Sequence, residues 1–357
     1  MRVLTVIGNR PQFIKAAAVS PTLRRRDEEL LVHTGQHFDD SLSRVFFEEL
    51  GLPAPDRELG VAGGSNASQT ARMLAALEPV LADSAPDCVL VYGDTNSTLA
   101  GALAAAQAGI RVAHVEAGMR SFDREMPEEV NRVVTDHLCA LLLCSSEVAA
   151  ANLRREGVAG EVEVVGDVMV DVAETVQPRA GGRVDLVEAH GLKPNGYLLA
   201  TAHRAGNVDD RARLQRLVAL LLGLDEPIVL PLHPRTRARL EAAGLLGRLA
   251  DSGSVQVTEP VGYVELTALL CNARAVLTDS GGIQKEAYLA GVPCVTLRSS
   301  TEWTETVEAG WNTLVDLDLD AARAALAAAP PARRPPLYGD GHAGERVVAA
   351  LERVFAP

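Results

Sequence analysis

Several features are scarce in this 357-residue chain, and each shortage narrows what the protein can be. Aromatic residues make up only 4% of the chain, whereas hydrophobic residues reach 47% and charged residues 23%, a balance typical of globular proteins. Uninterrupted apolar runs stay well short of the roughly 18 residues that a membrane span needs. The first apolar run stops at Asn9 and Arg10 without a small-residue cleavage site, so no signal peptide is expected.

Cysteines are also few, and they show no pairing pattern. The five cysteines are odd in number, form no C-x-x-C motif and mostly lie in apolar runs. We therefore expect reduced thiols in the core of a cytoplasmic protein.

Positive charge is in deficit. The chain has 34 Lys and Arg against 47 Asp and Glu, a net charge of −13 and a pI near 5.1. Nucleic acids and anionic membranes both need a basic face, so neither is expected as a partner. The sequence also has no metal-ligand spacing of His, Cys and Asp and no G-x-S-x-G motif.

What the chain does have is a regular alternation of short Val, Leu and Ile runs with longer helical patterns, which predicts parallel βαβ units. Because 357 residues exceed the size of one core, we expect two Rossmann-like α/β domains whose strand ends face a cleft. The predicted strands are residues 3–8, 30–34, 88–92, 112–116, 141–144, 162–165, 197–201, 228–232, 255–257, 275–278, 294–297 and 313–315.

The segments between and after these strands can also be assigned. Residues 166–195, rich in Pro, Gly and charge, are predicted to carry the crossover between the domains, with one helix inside it. Helices are further expected at 41–50 and, as the last element of the chain, at 344–355.

An acidic stretch at residues 112–132 has two interpretations. An apolar strand ends in Glu116, and a helix follows with Pro127, Glu128, Glu129 and Arg132. Active groups of parallel sheets collect at the carboxyl ends of strands, which favours catalysis. Acids in a first helical turn and an i,i+4 ion pair also stabilise ordinary helices. From this stretch alone, both interpretations stay open.

Two strand-to-helix junctions have residues suited to an anion. After the strand at 275–278, Ser280 is predicted to cap a helix while Gly281 and Gly282 leave its first amides uncovered, which suits a phosphate. Glu286, further along the helix, could accept hydrogen bonds from ribose hydroxyls. A serine-capped helix with a surface glutamate is the alternative.

The second junction follows the first strand, where Arg10 and Lys15 could grip phosphate oxygens. The loop is neither a G-x-G-x-x-G sequence nor a Walker loop, and Arg10 could equally be a helix-edge charge.

Three further polar residues follow strands. Asp94 comes just after the strand at 88–92, and by default it is predicted to cap the helix that begins near Asn96 or Ser97. His203 and His233 follow two strands of the second half, which suggests a polar cleft wall.

The order of these motifs is itself informative. Along the chain occur Gly8-x-Arg-Pro-Gln-Phe-Ile-Lys, Thr34-Gly-Gln-His, Gly93-Asp-Thr, His114-Val-Glu-Ala-Gly-x-Arg, Met126-Pro-Glu-Glu-x-Asn-Arg, His203-Arg, Asp279-Ser-Gly-Gly-Ile-Gln and Tyr338-Gly-Asp-Gly. Together they closely resemble the non-hydrolysing UDP-N-acetylglucosamine 2-epimerases over nearly the whole chain. The resemblance implies a glycosyltransferase-B architecture with an N-terminal domain at 1–167, onto which a helix at 340–357 packs back, and a UDP-binding domain at 168–339.

The resemblance also implies a homodimer, no metal or nicotinamide, and a role in polysaccharide biosynthesis. The implied reaction eliminates UDP to give a 2-acetamidoglucal and adds it back after C2 is reprotonated on the other face. By position, the catalytic groups fall on Asp94, Glu116, Glu128 and His203. The residues that bind UDP or sugar fall on Arg10, Lys15, Arg132, His233, Ser280, Gly281, Gly282 and Glu286.

Departures from the family pattern leave the substrate open. Gln12 and Trp303 resemble relatives that epimerise UDP-2,3-diacetamido-2,3-dideoxy-glucuronate, although UDP-N-acetylglucosamine remains the leading expectation. Gln36 and Gln69 match a second site that binds an activator in several bacterial relatives, but Asp39, Ser68 and Ala205 do not, so activation is not expected. A hydrolysing epimerase, a glycosyltransferase of the same architecture and a non-catalytic nucleotide-sugar binding module are three further hypotheses.

Overall fold

The computed structural model describes residues 1–36 and 50–356. The helix predicted at 41–50 lies outside these residues except for Leu50, and so does Asp39. The chain divides into two compact units: Met1–Glu174 with Tyr338–Pro357, called here the N-terminal unit, and Thr175–Leu337, the C-terminal unit.

Each unit contains a parallel sheet, and every predicted strand overlaps an observed one. The additional strand β3 is exposed and only two residues long, so it leaves no hydrophobic pattern in the sequence. The strands are β1 (Arg2–Ile7), β2 (Glu28–His33), β3 (Arg57–Glu58), β4 (Cys88–Tyr92), β5 (Arg111–Ala117), β6 (Leu141–Cys144), β7 (Glu161–Val164), β8 (Leu198–Thr201), β9 (Ile228–Pro231), β10 (Val255–Thr258), β11 (Ala275–Thr278), β12 (Cys294–Thr296) and β13 (Asn312–Leu314).

Helices connect the strands. Numbered in order among the described residues, they are α1 (Arg10–Arg26), α2 (Asn66–Ser84), α3 (Asn96–Gln107), α4 (Pro127–Leu138), α5 (Glu147–Glu156), α6 (Val168–Gly181), α7 (Val184–Ala189), α8 (Ala205–Val208), α9 (Arg211–Gly223), α10 (Pro234–Ala242), α11 (Leu246–Ala250), α12 (Tyr263–Cys271), α13 (Gly281–Ala290), α14 (Thr304–Glu308), α15 (Leu319–Ala327) and α16 (Ala343–Phe355).

Both sheets are doubly wound. The first has the order β3-β2-β1-β4-β5-β6-β7 and the second β10-β9-β8-β11-β12-β13, and the paired strands run parallel. The chain therefore reverses its direction of progress between β1 and β4 in one unit and between β8 and β11 in the other. Ligands of such sheets bind at the carboxyl ends of strands next to this reversal.

The core lies where parallel strands are covered by helices on both faces. All five residues of β4 and all four of β6 are buried, which explains their uninterrupted apolar runs. In the C-terminal unit, β8 and β11 pack into apolar clusters on both faces of the sheet. The predicted pair of Rossmann-like α/β units is thereby confirmed.

The crossover segment differs from its prediction in one respect. Two helices, α6 and α7, occupy residues 168–189, where the sequence predicted one. Pro178 lies in the last turn of α6, and the helix continues past it to Gly181. None of the helices in the described part of the chain is long and apolar enough to cross a membrane.

Candidate functional site

Asp94 lies in the turn after β4 and does not cap the next helix. Thr95 takes that place: its hydroxyl accepts a hydrogen bond from the backbone N–H of Thr98 (3.4 Å), and the Thr98 hydroxyl accepts one from the Thr95 N–H (3.1 Å). The default prediction that Asp94 is a helix cap is therefore wrong, because a threonine one residue later completes a capping box. The Asp94 carboxylate instead faces Arg132, at 3.4 Å.

Glu116 lies near the end of β5, where the strand is irregular. The pairing of β5 with β6 shifts register between Val115 and Ala117, and Glu116 has a φ of 71°. A left-handed conformation in a residue other than glycine costs about 1–3 kcal/mol and is characteristic of functional sites. The conformation directs the carboxylate to Lys15, whose Nζ donates a hydrogen bond to Oε2 of Glu116.

Glu128 and Glu129 are adjacent in the first turn of α4 but have different surroundings. Glu129 is buried, and its carboxylate accepts hydrogen bonds from Ser121 N (2.9 Å) and Phe122 N (3.1 Å). It therefore fixes the loop that precedes the helix. Glu128 is half-buried, and the ion pairs of Arg132 run to Asp94 and to Glu129 (3.1 Å).

Asp94, Glu116 and Glu128 form an acid cluster with Lys15 and Arg132, and the charges of the other four side chains act on Asp94. Burial raises the pKa of Asp94 above its ordinary value. The positive charges of Arg132 and Lys15 oppose the shift, and the negative charges of Glu116 and Glu128 add to it. A carboxyl group with a raised pKa, next to carboxylates held by cations, is suited to carrying a proton.

In the C-terminal unit, the junction after β11 has the predicted form. The Ser280 hydroxyl accepts a hydrogen bond from Ile283 N at 3.5 Å and caps α13. A Cβ added to Gly281 would overlap the present position of the Glu302 carboxylate. Glu302 is in turn paired with Arg298 at 2.9 Å and with Arg204 at 3.5 Å. Two guanidinium groups therefore lie near the first turn of α13, where Gly282 follows Gly281.

Glu286 lies one and a half turns into the same helix and is 7% exposed. Its burial raises the pKa from 4.5 to about 7, although Lys285 lowers it. The Lys285 ammonium lies 4.2 Å from the centre of the Trp303 ring, a cation–π contact that lets a cation be buried here.

His203 follows β8 and is held by a buried carboxylate from β11. Asp279 accepts hydrogen bonds from the backbone N–H groups of His203 (3.1 Å) and Arg204 (3.1 Å), and its Oδ1 lies 3.5 Å from His203 Nδ1. The rings of His203 and His233 stack with centres 5.5 Å apart. His233 also caps α10, since its Nδ1 accepts a hydrogen bond from Arg235 N at 3.2 Å.

Arg10 is the first residue of α1, directly after its cap Asn9. The two candidate second-site glutamines make hydrogen bonds within the N-terminal unit. Gln36 Oε1 accepts from Ser97 N at 3.0 Å, and Gln69 Oε1 accepts from Asn96 Nδ2 at 2.8 Å. Both amides therefore already help to hold the start of α3.

The structure thus assembles the predicted residues in two groups, one in each unit. Asp94, Glu116 and Glu128 lie with Lys15 and Arg132 in the N-terminal unit. The C-terminal unit holds Ser280, Gly281, Gly282 and Glu286 on one helix and the His203–His233 pair on neighbouring loops.

Sequence reasoning missed several residues that shape these groups. Arg298 follows β12 and Asp279 follows β11, and strand ends were the available signal for both. His114, buried in β5 two residues before Glu116, belongs to one of the ordered motifs but was not singled out. Across residues 1–36 and 50–356, no three His, Cys, Asp or Glu side chains are grouped so that they could hold a metal ion.

Comparison with known proteins agrees with the motif order. The sequence profile described as UDP-N-acetylglucosamine 2-epimerase matches residues 22–352. A Pseudomonas aeruginosa protein named UDP-2,3-diacetamido-2,3-dideoxy-D-glucuronate 2-epimerase is 46% identical and covers 99% of this chain and 100% of its own length. A UDP-N-acetylglucosamine 2-epimerase homolog of Methanococcus maripaludis is 43% identical, with coverage of 99% and 100%.

A solved structure gives the same result. The crystal structure of the Methanocaldococcus jannaschii UDP-GlcNAc 2-epimerase, in complex with UDP-GlcNAc and UDP, is similar with a TM-score of 0.93 at 40% identity. The similarity covers 99% of this chain and 100% of that one. The resemblance found in the sequence is confirmed: the chain belongs to the UDP-N-acetylglucosamine 2-epimerase family, which is a family of isomerases.

Proposed function

We propose that this protein is a non-hydrolysing 2-epimerase that interconverts UDP-GlcNAc and UDP-ManNAc. The observation that carries the proposal is the acid cluster of the N-terminal unit, in which Asp94, Glu116 and Glu128 surround two cations. Epimerisation at C2 requires a proton to leave one face of the sugar and another to arrive on the opposite face. Several carboxyl groups in one place, with different environments, meet that requirement.

The first step breaks the C1–O bond and the C2–H bond. The electron pair of C1–O leaves with UDP, a carboxylate takes the C2 proton, and a C1–C2 double bond forms in the acetamidoglucal. Because the C2 proton is weakly acidic, C1–O cleavage runs ahead and positive charge develops at C1. The remaining carboxylates stabilise that charge.

In the second step the C1–C2 double bond is lost again, and C2 receives a proton on the face opposite to the one from which its proton left. A protonated carboxyl gives its proton to C2, and a phosphate oxygen of UDP bonds to C1. The raised pKa of Asp94 supports a role as a proton carrier. The hydrogen bond from Lys15 supports the ionised form of Glu116.

The C-terminal unit supplies the means to hold UDP. Uncovered amides at Gly281 and Gly282 and the positive end of α13 suit a diphosphate, and Glu286 suits the ribose hydroxyls. His203, whose backbone N–H donates to Asp279, is the proposed donor to the departing diphosphate. Arg10 at the start of α1 remains a further candidate for a phosphate oxygen.

UDP-2,3-diacetamido-2,3-dideoxy-glucuronate is the second candidate substrate. A relative at 46% identity carries that activity in its name, and Trp303, one of the two residues that resemble such relatives, lies against the buried ammonium of Lys285. A glycosyltransferase would use the amides of Gly281 and Gly282 at the start of α13, called here the diphosphate seat. It would have no need of three carboxyl groups in one cluster.

The test is an NMR experiment in deuterated water without metal or acceptor, with each UDP-sugar supplied separately. We expect UDP-GlcNAc to give the manno product with deuterium at C2, because the incoming proton comes from solvent-exchanged carboxyl groups. Turnover of the uronate alone would transfer the assignment to the second candidate. Release of free N-acetylmannosamine, or unchanged and undeuterated sugars in both samples, would refute the proposal.

Glu116→Gln should lower kcat in this assay by about two to four orders of magnitude, the usual contribution of a proton-transfer group. UDP affinity, measured by calorimetry, should stay within a factor of about three because the change lies outside the diphosphate seat. Glu125→Gln is the matched control, since Glu125 is an exposed carboxylate in the loop before α4. Equal losses in both variants would argue against a specific role of Glu116.

A further inference from the structure

His114 lies in β5 with its side chain fully buried and both ring nitrogens engaged. Nε2 lies 2.6 Å from the carbonyl oxygen of Gly93, and Nδ1 lies 2.7 Å from Oδ1 of Asp136. A carbonyl oxygen can only accept a hydrogen bond, so Nε2 must carry a proton. The protonation of Nδ1 then depends on whether Asp136 is ionised.

The surroundings of Asp136 favour its ionised form. Oδ2 of Asp136 accepts hydrogen bonds from Gly118 N at 3.1 Å and from Arg120 Nη1 at 2.7 Å. Both of these groups donate to Oδ2, and one is the charged guanidinium of Arg120, so they stabilise a carboxylate and not a carboxylic acid. An ionised Asp136 accepts from Nδ1, so both ring nitrogens donate.

Arg120 links the His114–Asp136 pair to a second carboxylate, that of Glu156. Arg120 also donates to both carboxylate oxygens of Glu156, at 2.8 and 2.6 Å. With a positively charged His114, the set contains two cations, His114 and Arg120, and two anions, Asp136 and Glu156. Glu156 lies at the partly exposed end of the network, with 25% of its side chain accessible, whereas His114, Arg120 and Asp136 are buried.

This network is connected to the acid cluster through the Gly93–Asp94 turn, through β5 and through α4. Gly93, which accepts the Nε2 hydrogen bond, directly precedes Asp94 and has a φ of 63°. Its N–H donates to Val115 O at 3.0 Å, and Glu116 is the next residue in β5. Asp136 lies two turns after Glu128 on α4. One imidazole therefore joins the three elements that carry the three acids.

We propose that His114 is a positioning residue, held as a buried imidazolium, that fixes the Gly93–Asp94 turn relative to Glu116 and α4. The effect on turnover rests on the function proposed above, whereas the protonation of the ring does not. A rigid hydrogen bond to the Gly93 carbonyl restricts where the Asp94 carboxyl can lie, and misplacement by a fraction of an ångström is enough to slow proton transfer.

The protonation is tested on the wild-type protein by ¹⁵N NMR of the histidine rings, with the His114 signals identified by their loss in a variant. We expect both ring nitrogens of His114 to be protonated at neutral pH, with and without UDP. A ring nitrogen without a proton would overturn the proposal, whatever substrate the enzyme uses.

Two substitutions separate positioning from charge. His114→Gln keeps a donor at the place of Nε2, facing Gly93, whereas His114→Asn keeps one only at the place of Nδ1, facing Asp136. We expect His114→Asn to lower kcat roughly 10- to 100-fold, as loss of a supporting hydrogen bond commonly does, with little change in KM. His114→Gln should recover a large part of that loss.

The matched control is His190→Gln, because His190 forms a similar pair with Glu265, at 2.8 Å, in the C-terminal unit. It should leave kcat unchanged. The positioning role is wrong if His114→Asn folds and retains wild-type kcat. It is also wrong if both His114 variants lower kcat and raise KM together. Absence of epimerase activity in the wild type, with a doubly protonated His114, would instead refute only the proposed function.

Discussion

At the scale of single residues, two of the three candidate catalytic acids have a neighbour that performs the ordinary structural task. Thr95, not Asp94, caps α3, and Glu129, not Glu128, fixes the loop before α4. Glu116 adopts a left-handed conformation at the register shift between β5 and β6. These acids are thus kept out of capping and packing, which is what a catalytic interpretation needs.

Gln12 shows the reverse case. The sequence marked it as a departure that bears on the substrate, but the side chain is buried and joins two strand ends. Its Oε1 accepts from Gly8 N at 2.8 Å, and its Nε2 donates to Tyr92 O at 2.9 Å. Its visible task is therefore to hold the turn before Asp94 next to the end of β1.

Gly8 permits that close approach, and its replacement gives a direct test. A Cβ at Gly8 would overlap the hydroxyls of Ser97 and Thr34. We expect Gly8→Ala to lower the free energy of unfolding by roughly 1–3 kcal/mol, the usual cost of overpacking, measured as a lower Tm by calorimetry. Gly247→Ala, at an open helical position, should keep or slightly raise Tm. A stable Gly8→Ala protein would show that the junction is looser than described.

At the scale of elements, α13 combines two features that oppose each other. Its amino terminus attracts negative charge, and Glu302 with Arg298 and Arg204 lies beside it. Glu286, in contrast, is buried on the same helix and is costly to ionise. The second feature makes the stability of the C-terminal unit depend on pH.

The direction of that dependence follows from the raised pKa of Glu286, which moves from 4.5 to about 7 on folding. Between these values the folded protein retains a proton that the unfolded chain has released. The contribution of Glu286 to the free energy of unfolding therefore falls as pH rises from about 4.5 to about 7 and is constant above. The decrease is at most on the order of 3 kcal/mol, since one pKa unit corresponds to about 1.4 kcal/mol.

Urea unfolding of the wild type and Glu286→Gln across this pH range measures the effect. Tryptophan fluorescence reports on the C-terminal unit alone, because both tryptophans, Trp303 and Trp311, belong to it. The free energy of unfolding of the wild type, relative to that of Glu286→Gln, should fall as the pH rises toward neutral. Glu241→Gln, an exposed carboxylate in the same unit, should follow the wild type. A constant difference would contradict the raised pKa.

At the scale of the whole molecule, the end of the chain completes the N-terminal unit. Helix α16 packs on α1, where a Cβ at Gly344 would overlap the carbonyl of Ala18. Asp171 accepts hydrogen bonds from Ala343 N at 3.1 Å and Gly344 N at 2.8 Å. The unit that carries the acid cluster therefore depends on residues more than 300 positions after its first strand.

Phe355→Ala tests this dependence. Phe355 is 1% exposed, and the Arg111 guanidinium lies 4.8 Å from the centre of its ring. Its loss should cost about 3–5 kcal/mol, as for other buried phenylalanines, and lower the calorimetric transition of the N-terminal unit. Phe122→Ala is the matched control because Phe122 is 68% exposed, and it should change Tm little. If the Tm of Phe355→Ala changed as little as that of Phe122→Ala, α16 would not be part of the core.

The sequence by itself determined the two α/β series, the strand ends and the order of motifs, because these depend on local hydrophobic periodicity and on residue types next in the chain. Tertiary structure decided which residues far apart in the sequence come into contact, because hydrophobic periodicity carries no information on such contacts. It brought Lys15 to Glu116 and Arg132 to Asp94, and it gave the capping task to Thr95. It also placed His114 between Gly93 and Asp136. Such contacts join elements far apart in sequence, and they form only because doubly wound sheets gather the carboxyl ends of β1, β4 and β5 at one edge.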